Sequence, residues 1–358
     1  MNKWVFKENS LDLIRLIAAS QVMVLHSFEF TMSEVTGNLF FEILRLFPGV
    51  PIFFFISGYL ISKSFERAPN LSTYWINRGL RIFPALIVCV FINILMVWST
   101  GYFNETNPSV LDVFLLFLGK ATVLQFYNPD FMRGFGDGVL NGSLWTIFVE
   151  LQFYFIVPIF YNFFKLKNKY STYTLIALII IFIFANSLLP TLASDYSNEI
   201  WWKLFRVSFA PWVYMFLFGV LVQRNFIFFA RWLSQISIIP TLIIYITIML
   251  YISKNGLEFG NYIPPYVFFP LALLIFRTAY SMVSITKKLL RGNDISYGIY
   301  IWHIPLINQL IYLTKSNETL IQVGLAILST ILIALISWFY LEKTALKMKS
   351  FSLLRTKR

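Results

Sequence analysis

Charged residues are scarce in this sequence. Asp, Glu, Lys and Arg make up 13% of its 358 residues, while 58% are hydrophobic and the mean hydropathy is +0.69. Soluble domains of ordinary composition carry about 25% charged residues. Since so few charges cannot cover the surface of a soluble protein of this length, the composition excludes that class. It predicts an all-α integral membrane protein.

Cysteine and histidine are scarcer still. The single cysteine, Cys89, lies in an apolar run, which excludes a disulfide or a cysteine-based metal site, and no metal is expected. The formal net charge of +12 does not indicate a nucleic-acid partner, because the basic residues sit in short loops between apolar segments. The expected partner is the lipid bilayer.

The sequence consists mainly of long apolar segments. Windows of about twenty apolar residues predict ten transmembrane helices, at 11–30, 46–63, 80–100, 143–164, 172–190, 207–223, 234–253, 263–281, 294–313 and 320–341. The first is not a cleaved signal peptide, because Asp12 and Arg15 interrupt its apolar core and no small-residue cleavage site follows. An eleventh segment, 111–126, contains Asp112 and Lys120 and is predicted to be interfacial or re-entrant.

The distribution of Lys and Arg predicts that both termini are cytoplasmic. Twenty-one of these residues fall in the predicted cytoplasmic segments and seven in the outer ones, as the positive-inside rule requires. An eleventh span would move the basic loop KLKNK (165–169) outside. The whole chain, 1–358, is predicted to be one membrane domain with a core at about 11–342 and a basic cytoplasmic tail at 343–358. No appended soluble domain is recognised.

Two polar residues share one face of the first predicted helix. Arg15 and His26 are eleven positions apart, which corresponds to about 20° past three full turns and about 16 Å of rise. Ala18, Ala19 and Val22 lie along the same face. A charged residue in a span costs roughly 2.5–3.5 kcal/mol, so it normally faces a cavity or a partner. The pair therefore indicates a functional path along this helix face. In the alternative interpretation both residues are structural: Arg15 snorkels to the interface beside Asp12, and His26 makes a hydrogen bond that packs helices together.

Two further polar residues lie inside predicted spans. Glu150 lies about seven residues inside the fourth span, at a depth close to that of His26. A carboxylate there would fix the imidazole tautomer and raise its basicity, or else it ties helices together. His303, midway along the ninth span among aromatic residues, has a structural and a chemical interpretation, and both stay open.

Arg78 and Arg81 stand three residues apart at the cytoplasmic start of the third span. Together with Arg15 they would form a phosphate clamp, since guanidinium groups make bidentate contacts with phosphate. The positive-inside rule alone also places arginines at such an end.

These motifs occur together in a known order. The segments LDLIRLIAASQVMVLH (11–26), FFFISGYLI (53–61), RGLRIFPAL (78–86), SLWTIFVELQFY (143–154) and ISYGIYIWHIPL (295–306) resemble the acyltransferase-3 family of integral-membrane acyltransferases. The family's arginine-x10-histidine signature falls on Arg15 and His26. Its arginine-x-x-arginine motif falls on Arg78 and Arg81, and its SLWS-x-x-x-E-like glutamate on Glu150. The chain departs from the family pattern at Thr146, where serine is usual. It departs again after Glu342, because Thr344 follows where the family often has a proline, so no role is predicted for Glu342.

The resemblance implies a membrane O-acetyltransferase of the bacterial inner membrane. It implies transfer of acetyl from cytoplasmic acetyl-CoA to a hydroxyl of a surface polysaccharide or its undecaprenyl-linked precursor, of the O-antigen or capsule type. His26 and Glu150 are the expected catalytic residues, and Arg15, Arg78 and Arg81 are expected to bind CoA. Support or substrate contact is expected at Asp12, Ser57, Trp145, Tyr297 and His303. The alternative is a transporter or flippase for lipid-linked glycans or an acyl donor, which the lack of a visible inverted repeat disfavours.

Overall fold

The computed structural model describes residues 8–32, 38–68, 70–164, 171–196, 198–254, 260–314 and 319–348. Of these residues 81% are helical, and none forms a strand. The α-helices are α1 (Leu11–Thr31), α2 (Leu39–Arg45), α3 (Gly49–Arg67), α4 (Leu71–Ser99), α5 (Tyr102–Thr106), α6 (Val110–Ala121), α7 (Trp145–Phe163), α8 (Ser171–Tyr196), α9 (Ile200–Val207), α10 (Val213–Arg224), α11 (Phe226–Leu233), α12 (Ile238–Lys254), α13 (Pro265–Ala279), α14 (Val283–Leu290), α15 (Ser296–Thr314) and α16 (Leu320–Ser337). The prediction of an all-helical fold is confirmed.

Side-chain caps define where several helices begin. Asn70 Oδ1 accepts a hydrogen bond from Thr73 N at 2.8 Å at the start of α4. Thr319 and Gln322 form a reciprocal capping box at the start of α16. Such caps satisfy first-turn N–H groups that have no intrahelical partner.

Six helical stretches of the described chain are long and apolar enough to cross a membrane. These are Leu11–Thr31, Leu39–Arg67, Leu71–Ser99, Gly142–Phe163, Ser171–Leu189 and Leu320–Met348. Two bent pairs, α10 with α11 (86°) and α13 with α14 (71°), raise the number to eight if each pair is one span. Each of the ten predicted segments overlaps a helix, so a multi-pass membrane protein is supported. The count of ten and the cytoplasmic termini stay predictions, and the loop 165–169 and residues 349–358 of the tail lie outside the described residues.

The segment predicted to be interfacial or re-entrant, 111–126, overlaps α6. This helix has 12 residues, which corresponds to about 18 Å and is shorter than the roughly 30 Å hydrocarbon core. Lys120 near its end is buried, and its Nζ donates to the Gln125 carbonyl at 2.9 Å. Burial, with a smaller contribution from Arg133, lowers the pKa of Lys120 to about 7. The side chain therefore loses most of its charge slightly above neutral pH.

The described residues group into two compact units. The first comprises those within Met1–Gln21, Gly37–Ala68 and Val149–Asn293. Inside it, α3 and α10 approach so closely that only glycine fits at their contact. A Cβ added to Gly58 would lie 1.9 Å from the Phe216 carbonyl oxygen, and one added to Gly219 would lie 2.2 Å from that of Phe55. Small residues at such contacts are typical of helices packed in membranes.

The second unit comprises the described residues within Val22–Thr36, Pro69–Phe148 and Asp294–Arg358. In this unit Gly298 of α15 meets Ala334 of α16, where an added Cβ would lie 3.0 Å from the alanine Cα. A π-helical turn, Trp338–Glu342, follows α16 directly. In that turn Glu342 is buried and accepts a hydrogen bond from Ser337 Oγ at 3.1 Å. The prediction of one membrane domain stays a prediction.

Candidate active site

The two histidines of the chain meet inside the second unit. His26 Nδ1 on α1 lies 2.9 Å from His303 Nε2 on α15, although 277 positions separate them in the sequence. The two rings are stacked, with centroids 5.2 Å apart, and His26 also stacks on Phe30. His303 is completely buried, whereas His26 is half-buried. A ligand can therefore reach only the first of the two imidazoles.

The contacts of His303 determine which His26 nitrogen is available for chemistry. His303 Nδ1 lies 3.2 Å from the carbonyl oxygen of Ile299, and a carbonyl only accepts. Nδ1 therefore carries the proton, and in a neutral imidazole the other nitrogen is then an acceptor. His26 Nδ1–H must donate to that acceptor, so His26 Nε2 keeps its lone pair. This hydrogen-bond order makes His26 a base whose ring is held in one tautomer.

A proline positions the His303 segment of α15. Pro305 has no N–H, so the carbonyl four residues earlier, that of Ile301, has no intrahelical partner. Asn141 Nδ2 donates to this carbonyl at 2.9 Å, and Cys89 Sγ donates to it at 3.3 Å. The Ile301 carbonyl thus accepts hydrogen bonds from Asn141 and from Cys89 of α4. These two bonds hold α15 beside α4 and the segment that precedes α7.

The hydroxyl groups of Thr146 and Tyr300 form a second contact between α7 and α15, next to His303. The Thr146 and Tyr300 hydroxyls are 2.7 Å apart, and Thr146 Oγ1 also donates to the Ser143 carbonyl at 3.1 Å. The Tyr300 ring packs edge-on against His303, with centroids 5.8 Å apart. Thr146 therefore makes the hydroxyl contact that a serine at this position would offer.

Glu150 is held by two hydroxyl donors in the first unit. Tyr154 OH donates to its Oε1 at 2.6 Å, and Ser57 Oγ donates to the same oxygen at 3.3 Å. Ser57 was predicted as a supporting residue, and it lies beside the predicted catalytic carboxylate. The role of Glu150 in orienting His26 stays a prediction.

Arg15 lies half-buried on α1 beside Asp12. Its Nη1 is 4.0 Å from Asp12 Oδ1, and the Asp12 side chain is largely exposed. Ala18, Ala19 and Val22 are buried, so the stripe between Arg15 and His26 faces protein. The helix is continuous over this stretch, as the spacing predicted. A donor path along the stripe stays a prediction.

Arg81 has a carboxylate partner that the sequence analysis missed. Its Nη2 lies 2.5 Å from Asp294 Oδ2, and both side chains are mostly buried. Asp294 Oδ1 also accepts from Ser296 N at 3.1 Å at the start of α15. Asp294 stands at the edge of an apolar segment, where an unpaired carboxylate is costly. This cost could have indicated from the sequence that Asp294 has a basic partner.

The remaining predicted residues lie on α4, α7 and α15, and their predicted roles stay predictions. Tyr297 is buried and donates from its hydroxyl to the Ile82 carbonyl at 3.1 Å, which joins α15 to α4 near Arg81. Trp145 begins α7 and is half-buried, and Arg78 lies on α4, one turn from Arg81. Among the described residues, no three His, Cys, Asp or Glu side chains are grouped to hold a metal ion.

Comparison with curated proteins finds relatives over nearly the whole chain. The Nodulation protein 10 of Rhizobium leguminosarum bv. viciae is 28% identical over 96% of this chain and 94% of its own length. The O-acetyl transferase of Shigella phage Sf6 is 26% identical over 96% and 98%. The Peptidoglycan O-acetyltransferase OatA of Listeria monocytogenes serovar 1/2a is 28% identical over 42% of this chain and 24% of its own length. No solved structure matches the chain significantly.

A family model gives the same relationship over a defined range. The model described as "Acyltransferase domain", that of the acyltransferase-3 family, matches residues 8–339. This range contains both histidines, Glu150 and the three arginines expected to bind CoA. Because the match covers most of the chain, the protein belongs to the acyltransferase-3 family.

Proposed function

We propose that this protein is an O-acetyltransferase of the bacterial inner membrane. It transfers acetyl from cytoplasmic acetyl-CoA to a hydroxyl of a cell-surface polysaccharide or its undecaprenyl-linked precursor. The single observation that carries the proposal is the His26–His303 pair, which leaves His26 Nε2 with a free lone pair on a half-buried ring. Family membership and relatives named as O-acetyltransferases support the same reaction.

The chemistry follows from that lone pair. His26 Nε2 takes the proton of the acceptor hydroxyl while the oxygen attacks the thioester carbonyl. The C–S bond then breaks, and the departing CoA sulfur takes that proton and leaves as the thiol. Transient acylation of the same nitrogen is the alternative route. His303 accepts from His26 Nδ1–H and stabilises the charge that develops on the imidazole. Arg15, Arg78 and Arg81 are proposed to contact the phosphates of CoA from the cytoplasmic side.

Arg81 differs from the other two arginines in this scheme. Its Nη2 is paired with Asp294 Oδ2, so a phosphate would share this guanidinium with the carboxylate. A guanidinium has five donors in a fixed plane, and one carboxylate does not exhaust them. Asp294 then holds Arg81 in place as a positioning residue.

The test uses membranes that contain the wild type or His26→Gln, supplied with acetyl-labelled acetyl-CoA and host glycans. Label is expected in the glycan fraction with the wild type and not with the variant. Purified protein is then assayed for release of CoA, which a transporter or flippase without catalysis does not produce. Normal transfer by an inserted His26→Gln protein would refute the role of His26.

A further inference from the structure

A cavity with several charged lining residues lies in the first unit, where the chain bends between α10 and α11. None of the proposed catalytic residues lines it. Its volume is about 840 Å³. Its walls come from the end of α3 and from the junction of α10 and α11, and they comprise Lys63, Glu66, Arg67, Gln223, Arg224, Asn225, Phe226, Ile227, Phe228 and Arg231. The charge pattern of the loops predicts that this side faces the cytoplasm.

The cavity has an excess of positive charge. Four cations, Lys63, Arg67, Arg224 and Arg231, line it together with one carboxylate, Glu66. The formal excess is therefore three positive charges. Three of the four cations are arginines, whose planar fork of N–H donors matches the geometry of a phosphate group.

The single carboxylate organises one wall. Arg224 Nη1 lies 2.7 Å from Glu66 Oε1, and Lys63 Nζ lies 3.3 Å from Glu66 Oε2. Tyr161 OH also donates to Glu66, at 3.2 Å, and Arg224 Nε donates to Ser171 Oγ at 3.2 Å. Two guanidinium nitrogens of Arg224, Nη1 and Nε, are thus held before any ligand arrives, and this arrangement lowers the entropic cost of binding.

The first turn of α11 borders the same cavity. The chain turns by 86° between α10 and α11, and the first-turn residues Phe226, Ile227 and Phe228 line the cavity. Asn225 stands at the N-cap of α11 without making a side-chain cap. Its side chain accepts from Thr172 Oγ1 at 3.1 Å and donates to the Leu221 carbonyl at 3.0 Å. The N-terminal end of α11 therefore borders the cavity without a side-chain cap from Asn225, and the helix dipole there favours negative charge.

We propose that this cavity is a phosphate-binding site, separate from the acyl-transfer residues. Basic residues at the cytoplasmic ends of α3 and α10 would by themselves satisfy the positive-inside rule and the helix dipoles. The positive-inside rule and the helix dipoles do not explain why these residues line a cavity. They also do not explain why Glu66 pairs with both Arg224 and Lys63. The ligand is a phosphate ester that reaches the cytoplasmic side, either a soluble nucleotide or the headgroup of an anionic lipid.

The experiment uses the full chain in nanodiscs of phosphatidylcholine. Arg67→Gln, Arg231→Gln and their combination remove cations from the cavity while the Glu66–Arg224 pair stays intact. Lys288→Gln, on the exposed side of α14, removes the same charge elsewhere and is the matched control. One arm measures equilibrium binding of labelled adenosine 3′,5′-bisphosphate. The other measures retention of phosphatidylglycerol by native mass spectrometry.

Loss of a charge-assisted hydrogen bond is expected to weaken binding about tenfold for each arginine. A cavity-specific loss with the nucleotide identifies a soluble ligand, and a loss only with phosphatidylglycerol identifies a lipid headgroup. The proposal is overturned if the combined variant binds both probes as tightly as Lys288→Gln does. It is also overturned if the wild type binds neither probe.

Discussion

Replacing His303 tests whether it acts on the reaction through His26. His303→Leu places an apolar side chain of similar bulk in a completely buried position and removes the acceptor 2.9 Å from His26 Nδ1. The Nδ1–H then loses its partner, which costs about 1–3 kcal/mol for a buried donor. Because the ring is then free to change tautomer or rotate, we expect the transfer rate to fall roughly ten- to hundredfold.

His303→Gln is the matched control for this substitution. The glutamine amide oxygen is expected to reach the place that His303 Nε2 occupies and to accept the same hydrogen bond. It should therefore retain most of the rate that His303→Leu loses. His26→Gln, in contrast, removes the base itself and is expected to lose a factor of about 10²–10⁴.

The assay is steady-state acetyl transfer by purified protein in nanodiscs, with kcat and KM for acetyl-CoA measured separately. A positioning role predicts a lower kcat with an unchanged KM, since His303 is buried and does not meet the donor. Wild-type kcat in His303→Leu would refute the reasoning. Equal loss in the leucine and glutamine forms would also contradict it, because only the leucine form lacks the acceptor.

Three further predictions concern stability, measured as the Tm of purified protein. Gly58→Ala should destabilise by about 3 kcal/mol or more, because its Cβ meets a backbone oxygen, whereas Gly324→Ala, with open space around it, should be neutral or slightly stabilising. Arg81→Met removes the guanidinium that lies 2.5 Å from the buried Asp294 carboxylate and should cost roughly 3 kcal/mol, of which adding Asp294→Asn should recover a large part. The lowered pKa of Lys120 means that the unfolded chain binds the proton more tightly, so stability should rise between about pH 7 and pH 10.5. Lys120→Met should flatten that rise, and an unchanged profile would contradict the assignment.

The sequence predicts the helices well where apolar residues run without interruption. The first span was expected at 11–30, and α1 covers Leu11–Thr31. The third was expected from residue 80, but α4 begins at Leu71, because the Asn70 cap starts a helix before its apolar part begins. The sixth was expected at 207–223, whereas α10 starts at Val213 and the chain bends sharply after Arg224. Hydropathy contains no information about such a bend.

Periodicity along one helix was enough to place Arg15 and His26 on α1. It was not enough to find the partner of His26, because contact with His303 depends on how α1 and α15 pack. Arg81 was likewise predicted without Asp294. In both cases the prediction lacked the contact between two residues that are far apart in the sequence. A single sequence does not show which distant residues are in contact.

The distance along the chain between the two histidines has a consequence for synthesis. His26 enters the membrane with the first helix, and His303 follows 277 residues later. At about 5–20 residues per second, roughly 15–55 s pass between the two. During that interval the nascent chain has the imidazole but not its hydrogen-bond acceptor, so the proposed base is not yet fixed in its reactive tautomer. A chain that stops before α15 therefore lacks the acceptor that would fix the proposed base in one tautomer.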